Sequence, residues 1–147
     1  EVREMVSNMR AVKLEDELMR IKNMLQAAQV KFSISGTPQL TNVPLLVENV
    51  LSMCLKEAVT NVVNHSQASS CHIFIKEATE EIVIAIQDDG VGIQGHHQSL
   101  KGHGIRGMRE RLEFMNGSLA IESSNNGTTV MFRIPHVIQQ TKQEEFV

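Results

Sequence analysis

The sequence contains 147 residues, of which 41% are hydrophobic, and its 14 basic and 17 acidic residues give a formal net charge of -3. This composition is typical of one compact domain with a real core, and it excludes a chain that is disordered throughout. The slightly acidic balance provides no positive field that would draw the protein onto nucleic acid or an anionic membrane. We therefore expect no nucleic acid and no direct membrane contact among its partners.

Two further patterns narrow the class of protein. Cys54 and Cys71 are isolated from each other and from any C-x-x-C pattern, which indicates reduced, structural thiols and argues against a zinc site. No apolar run approaches the roughly 18 residues of a membrane span, and no signal-peptide pattern follows Glu1. The expectation is a cytoplasmic location.

The first half of the chain predicts two helices, a strand and a longer helix. Apolar residues at helical spacing predict one helix that ends near Met9 and a second that runs from Leu14 to about Ala28, with an acidic first turn that suits the helix dipole. The stretch "VKFSIS" (30–35) predicts a strand. Pro44 marks the start of the longest helix, which continues to about His65.

The second half predicts two hairpins separated by a glycine-rich loop and a helix. The stretches "CHIFIKE" (71–77) and "EIVIAIQD" (81–88) are rich in β-branched residues and enclose a short polar turn. A polar stretch over 90–103 precedes a helix from about Gly104 to Phe114. The strands "SLAIES" and "TTVMFRIP" then flank Asn125-Asn126-Gly127, a hairpin turn signal. This order predicts an α+β fold, a two-layer sandwich of one mixed sheet covered by helices on one face.

Gly102, Gly104 and Gly107 match the dinucleotide-binding pattern G-x-G-x-x-G. A dinucleotide fold requires the first glycine to follow a strand directly, with an acid about 20 residues later at the end of the next parallel strand. Here Gly102 follows a polar loop, and the strand that carries Glu122 leads into a hairpin, which argues against that fold. Two interpretations remain: the glycines and the following helix N-terminus bind phosphate, or they only end a loop and cap a helix.

The stretch "QDDGVGI" places Asp88 at the end of an apolar strand, followed by Gly90 and Gly92. A carboxylate at a strand end beside two glycines is able to point into a cleft and accept a hydrogen bond from an amino group, such as that of adenine. The alternative is a tight turn that ends in an acid.

The long helix carries a polar stripe in "KEAVTNVVNHS". Glu57, Asn61, Asn64 and His65 fall beside the predicted buried arc at helical spacing. An Asn oxygen is a neutral hard ligand that suits Mg2+, which binds proteins through few contacts plus nucleotide phosphates, and Glu57 is placed to orient one of its waters. The alternative is a solvated face on which Glu57 and Asn61 pair.

Taken together, the three stretches resemble the N box and the two glycine boxes of the ATP-binding domain of sensor histidine kinases. These domains belong to the GHKL superfamily, which also holds gyrase and MutL-type ATPases. The segments "MCLKEAVTNVVNHSQA" and "KGHGIRGMRERLEFMNGSL" resemble the DesK-type kinases of the NarL-partnered two-component class. The resemblance covers nearly the whole chain and implies the Bergerat ATP-binding fold, an α/β sandwich.

The resemblance implies a role for each matching residue. Asn61 would bind Mg2+ beside Glu57, which polarises a water, and His65 would contact ribose or phosphate. Asp88 would accept from adenine, and the Thr128 hydroxyl would complete the water network around it. A short lid from Ile93 to His103 would end at the glycines that bind phosphate. The full predicted set of nucleotide contacts is Asn61, Asn64, His65, Asp88, Gly90, Gly92, Ile93, Gly102, His103, Gly104, Ile105, Gly107, Met108 and Thr128.

The resemblance also implies that the ATP-binding site and the phosphorylated histidine lie on separate domains. The phosphorylated histidine of the family lies in a pattern such as H-D-x-x-x-Q, and none of the six histidines here stands in that context. We therefore expect residues 1–12 to be the end of a dimerisation helix or a linker, 13–137 the catalytic domain and 138–147 a disordered tail. ATP with Mg2+ would donate its γ-phosphoryl group to a histidine on the dimerisation domain of the same protein, for relay to a response regulator.

Other functions stay open at this point. One is a non-catalytic nucleotide-binding or interaction module, and another is a different GHKL ATPase or a serine kinase of the anti-sigma type. Asp89, His96 and His97 suggest a metal site, but this interpretation is disfavoured because their spacing does not provide a suitable third ligand. If the whole protein is a membrane-anchored sensor, this domain would be its cytoplasmic part.

Overall fold

The computed structural model of the chain describes residues 13–36, 40, 43–92 and 103–136. The helix predicted before Met9, the dimerisation segment 1–12, the tail 138–147, and Ile93, His96, His97 and Gly102 therefore lie outside the described residues. In chain order the elements are α1 (Leu14–Ala27), β1 (Lys31–Gly36), α2 (Leu45–Asn61), a π-helical turn (Val62–Ser66), β2 (Ser70–Glu77), β3 (Glu81–Asp88), α3 (His103–Phe114), β4 (Ser118–Ser124) and β5 (Gly127–Pro135).

The helices form where the apolar spacing predicts them. The helix α1 buries one stripe of its surface, whose apolar members are Leu14, Leu18, Ile21 and Leu25. Its first N–H group, that of Leu14, donates to Glu48 Oε2 of α2 at 2.8 Å, which satisfies an end group that the helix itself leaves without a partner. The helix α2 begins directly after Pro44, whose extended backbone stops the helix from starting earlier. The start of α2 thus caps α1 as well as packing beside it.

The five strands form one mixed sheet in the order β1-β2-β3-β5-β4. The strands β1 and β2 are parallel and are connected through α2, whereas β2–β3, β3–β5 and β4–β5 are antiparallel. The register places Asp88, the last residue of β3, opposite Thr128 of β5 and Cys71 of β2. Both predicted hairpins and the mixed sheet are confirmed.

The core lies between one face of the sheet and the three helices. Alternate residues of the central strands are buried there, among them Ile73, Ile84 and Phe132, while their sequence neighbours such as Phe74 lie on the opposite face and are exposed. This alternation is what a sheet covered on one side requires. The predicted α+β sandwich with helices on one face is confirmed.

The two cysteines lie in this core as free thiols. Burial raises the pKa of Cys54 and of Cys71 to about 12, so both stay protonated at neutral pH and pack as small apolar groups. Within the described residues, no helix is long and apolar enough to span a membrane, and no cluster of three or more His, Cys, Asp and Glu side chains is arranged to hold a metal ion.

Candidate functional site

A cleft opens between the end of α2 and the edge of the sheet where β3 ends and β5 begins. It contains six of the residues predicted to contact a nucleotide, namely Asn61, His65, Asp88, Gly92, Ile105 and Thr128. Its other walls are mostly apolar and come from α2, the π-helical turn and the sheet: Ala58, Val62, Ser66, Ile86, Ile121 and Val130. An apolar cleft with a few convergent polar groups is the usual form of a small-molecule site.

Asp88 is the buried acid of this cleft, with only 8% of its surface exposed. Its Oδ1 accepts the N–H of Gly90 at 2.8 Å, and the backbone N–H of Thr128 also donates to the carboxylate. Burial raises the pKa of Asp88 above its ordinary value, and the two backbone hydrogen bonds oppose that shift. The carboxylate is therefore held in a fixed orientation, with acceptor capacity left for a ligand's amino group.

The neighbouring acid, Asp89, has a different environment. Its Oδ1 accepts the N–H groups of Ser69 and Ser70 at 2.8 and 2.9 Å, and the hydrogen bond from Ser70 is the main reason that the pKa of Asp89 is lowered. Asp89 is exposed and does not line the cleft. Asp89 connects the end of β3 to the start of β2. Of the two adjacent acids, Asp88 therefore lines the cleft and Asp89 has a structural role.

Thr128 lies beside Asp88 because the two residues are paired across β3 and β5. Its hydroxyl is 2.9 Å from the hydroxyl of Ser123, its partner across the β4–β5 hairpin. The family resemblance implied a role for Thr128 but none for Ser123. The position of Ser123, facing Thr128 across the predicted Asn125–Gly127 turn, was the available signal.

Asn61 and His65 line the cleft at the end of α2, where the α-helix changes to a π-helical turn. Asn61 is its last α-helical residue, and the π-helical turn follows it. The Ser66 hydroxyl donates to the carbonyl of Val62 at 2.7 Å, and Gln67 has a left-handed backbone with φ of 54°. Wider turns of this kind are frequent at functional sites. Helical backbone continues to Ser66, close to the predicted end near His65, although the last turn is π-helical. Asn64 lies on the exposed surface rather than in the cleft.

The two glycines after Asp88 allow close backbone contacts. A Cβ atom on Gly90 would stand 2.1 Å from the carbonyl oxygen of Ser66, the same carbonyl that accepts the N–H of Val91 at 2.8 Å. Gly92 has φ of +79°, and a Cβ there would stand 2.1 Å from the Ser124 carbonyl oxygen. Glycine at both positions thus lets the end of β3 lie against the π-helical turn and the β4–β5 hairpin.

The other predicted residues that the structure describes lie outside the cleft walls. Glu57 faces α3 and contacts Gly104, Gly107 lies beside the Arg111 side chain, and Met108 is buried in the core. Gly104 lies in the first turn of α3, which begins at His103. The structure therefore groups Asn61, His65, Asp88, Gly92, Ile105 and Thr128 in one cleft and places Glu57 and Gly104 together nearby.

This geometry agrees with comparisons to known proteins. Residues 47–138 match the family described as histidine kinase-, DNA gyrase B- and HSP90-like ATPases, and the chain belongs to that family. It is 51% identical over 137 residues to the sensor histidine kinase DesK of Bacillus subtilis and 38% identical over 135 residues to the sensor histidine kinase YvfT of the same organism. In both comparisons 92% of this chain aligns with 36% of the relative, so the chain spans about a third of their length.

Solved structures support the fold assignment. A histidine kinase domain from the blue-light activated histidine kinase of Erythrobacter litoralis superposes with a TM-score of 0.68 at 20% identity, over 88% of this chain and 64% of that one. The histidine kinase AdeS of Acinetobacter baumannii gives 0.64 at 17% identity, over 83% and 62%. The family resemblance inferred from the three sequence stretches is confirmed.

Proposed function

We propose that this chain is the ATP-binding catalytic domain of a sensor histidine kinase. It binds ATP with Mg2+ and presents the γ-phosphoryl group to a histidine on the dimerisation domain of the same protein, for relay to a response regulator. The domain acts on the cytoplasmic side. The observation that supports this most directly is the buried, anchored Asp88 in an apolar cleft that also contains Asn61 and His65, in a chain of this ATPase family.

The Asp88 end of the cleft suits an adenine ring. The apolar side chains of Ile86, Ile121 and Val130 offer surfaces against which a flat ring packs. Asp88 accepts from the exocyclic amino group of adenine, while the backbone donors of Gly90 and Thr128 hold the carboxylate in place. The paired hydroxyls of Ser123 and Thr128 are placed to organise water around the same carboxylate.

The Asn61 end suits the phosphates. Asn61 supplies a neutral oxygen of the kind that Mg2+ accepts, and His65 lies one turn further on along the same wall. A single protein oxygen is enough for a metal ion that takes its other ligands from phosphates and water, so the residues present fit Mg2+. Bound there, Mg2+ would neutralise phosphate charge.

The remaining proposed contacts follow the family resemblance. Glu57 would orient a water near the metal, and the backbone of Ile93, Gly102, His103, Gly104 and Gly107 would lie at the phosphate end. Phosphoryl transfer requires mainly positioning and charge stabilisation. The chain's contribution is therefore to fix the base through Asp88 and to aim the γ-phosphoryl group toward the acceptor histidine.

The proposal is tested by supplying the acceptor. The chain is incubated with radiolabelled ATP, Mg2+ and a histidine-bearing dimerisation domain, and the label is tested for stability. Phosphohistidine, which is acid-labile and alkali-stable, is the expected product. Acid-stable, alkali-labile label would indicate a serine kinase, and nucleotide binding without any transfer would indicate a non-catalytic module; either result would contradict the proposal.

Asn61→Asp is the variant that separates binding from transfer. Aspartate keeps an oxygen ligand, but it adds a negative charge that faces the phosphates and alters the charge balance at the metal. We expect the variant to keep most of its nucleotide affinity and to lose transfer by at least about 100-fold, which corresponds to roughly 3 kcal/mol of transition-state stabilisation. Transfer at the wild-type rate would remove Asn61 from the proposed metal site.

A further inference from the structure

Glu57 and Gly104 are in closer contact than two residues with side chains would allow. A Cβ atom built on Gly104 would stand 1.8 Å from Glu57 Oε1, 2.8 Å from its carboxylate carbon and 3.3 Å from its Cγ. These three atoms are the nearest to that position, and all belong to the Glu57 side chain. The carboxylate of α2 therefore occupies the space that any other residue at position 104 would fill.

Backbone conformation does not explain a glycine at this position. Gly104 is the second residue of α3, and its φ lies outside the left-handed region that favours glycine. In a helix, glycine is less favourable than alanine by about 1 kcal/mol. The absence of a side chain at Gly104 leaves space, and the Glu57 carboxylate occupies that space.

The charges around this contact favour the observed position of Glu57. A carboxylate beside the first turn of a helix interacts favourably with the helix dipole. Arg111, on the same helix, lies with its Nη1 3.0 Å from the place of a Cβ on Gly107. After burial, the charges that most affect the pKa of Cys54 are Arg111, which lowers it, and Glu57, which raises it. Glu57 and Arg111 thus both lie near Cys54, where α2 packs against α3.

We infer that Gly104 is a positioning residue for the Mg2+ end of the site: its missing side chain lets Glu57 lie against the first turn of α3, one helical turn from Asn61. The role of Mg2+ in this inference rests on the proposed function, whereas the contact between Glu57 and Gly104 does not depend on it. An alanine at position 104 would displace the flexible Glu57 side chain while leaving the α2 and α3 backbones in place.

The test is a set of double-mutant cycles. Gly104→Ala is made in the wild type, in Glu57→Ala, which removes all three clashing atoms, and in Glu57→Gln, which keeps their shape without the charge. The first readout is the thermal midpoint Tm without nucleotide. The second is the ratio of affinities for a non-hydrolysable ATP analogue with and without Mg2+, measured by calorimetry.

The inference predicts coupling between the two positions. In the Glu57→Ala background, Gly104→Ala raises Tm by about 2–4 °C, because only the helix propensity changes. In the wild-type and Glu57→Gln backgrounds the rise is absent or reversed. Gly104→Ala also lowers the Mg2+-dependent gain in affinity by at least about three-fold in the wild type, and it lowers the gain no further when Glu57 is already alanine.

Two results would overturn the inference. If Gly104→Ala changes Tm by the same amount in all three backgrounds, the glycine does not serve the Glu57 contact. If it lowers the Mg2+-dependent gain equally with and without Glu57, it acts through the α3 backbone. A wild type that binds no analogue would instead overturn the proposed function, and the Tm cycle would still decide whether the contact is as described.

Discussion

The environment of Asp88 favours ligand binding at the expense of the stability of the ligand-free protein. A carboxylate in an apolar cleft is unfavourable while it is ionised, and burial is the main reason that the pKa of Asp88 is raised above 3.8. In the pH interval between the unfolded and the folded value, the folded state binds more protons. The free energy of unfolding therefore falls as pH rises through that interval, and at pH 7 the ionised group costs stability.

Replacement of Asp88 by asparagine should therefore stabilise the ligand-free protein at pH 7. The amide oxygen still accepts the Gly90 N–H, and the buried charge is gone. We expect Tm to rise by about 2–4 °C for each kcal/mol gained in a protein of this size. The difference between variant and wild type should shrink as the pH is lowered toward 3.8. A Tm that falls at pH 7, measured by thermal unfolding, would contradict this account of the cleft.

Individual residues were predictable where the chain forms the expected strands. Asp88 and Thr128 both lie at strand ends, and cross-strand pairing brings them together as the resemblance implied. Asn64 was assigned to the polar stripe by a helical period of 3.6, but it lies in the π-helical turn and is exposed. The contact of Glu57 with Gly104 joins residues 47 positions apart, so local spacing carries no signal for it.

At the scale of elements, the π-helical turn and the loop after β3 pack directly against each other. The Ser66 carbonyl accepts the Val91 N–H at 2.8 Å, and Gly90 lies against the same carbonyl. This contact fixes the distance between the wall that carries His65 and the strand end that carries Asp88. Sequence patterns predicted the helix and the strand, but no residue pattern identified the wider turn.

Gly90→Ala tests this contact. A Cβ 2.1 Å from a backbone oxygen cannot be accommodated by a side-chain rotation, so the loop and the π-helical turn must move apart. We expect a loss of about 1–3 kcal/mol in the free energy of unfolding, measured by urea denaturation, together with weaker nucleotide binding. The matched control is Ala68→Gly, which changes one methyl group near the same turn outside the cleft. Unchanged stability and affinity in Gly90→Ala would show that the contact does not shape the site.

At the scale of the whole molecule, the fold brings together segments that are far apart in the chain. The parallel β1–β2 pair requires a crossover through α2, and this places the end of α2 over the strand end of β3. The β4–β5 hairpin, from the last third of the chain, supplies Thr128 and Val130 to the same cleft. The element order and the alternating strands predicted this sandwich. The shape of the cleft depends on long-range packing, and only the family resemblance indicated it in advance.

The measurement that tests the central claim most directly is calorimetric titration of the chain with a non-hydrolysable ATP analogue, with and without Mg2+. Asp88→Asn is compared with Asp89→Asn, which changes the adjacent exposed carboxylate outside the cleft. We expect the wild type and Asp89→Asn to bind, and Asp88→Asn to bind roughly 10- to 100-fold more weakly or not at all. Unchanged affinity in Asp88→Asn, or no binding by the folded wild type, would contradict the assignment of this cleft to ATP.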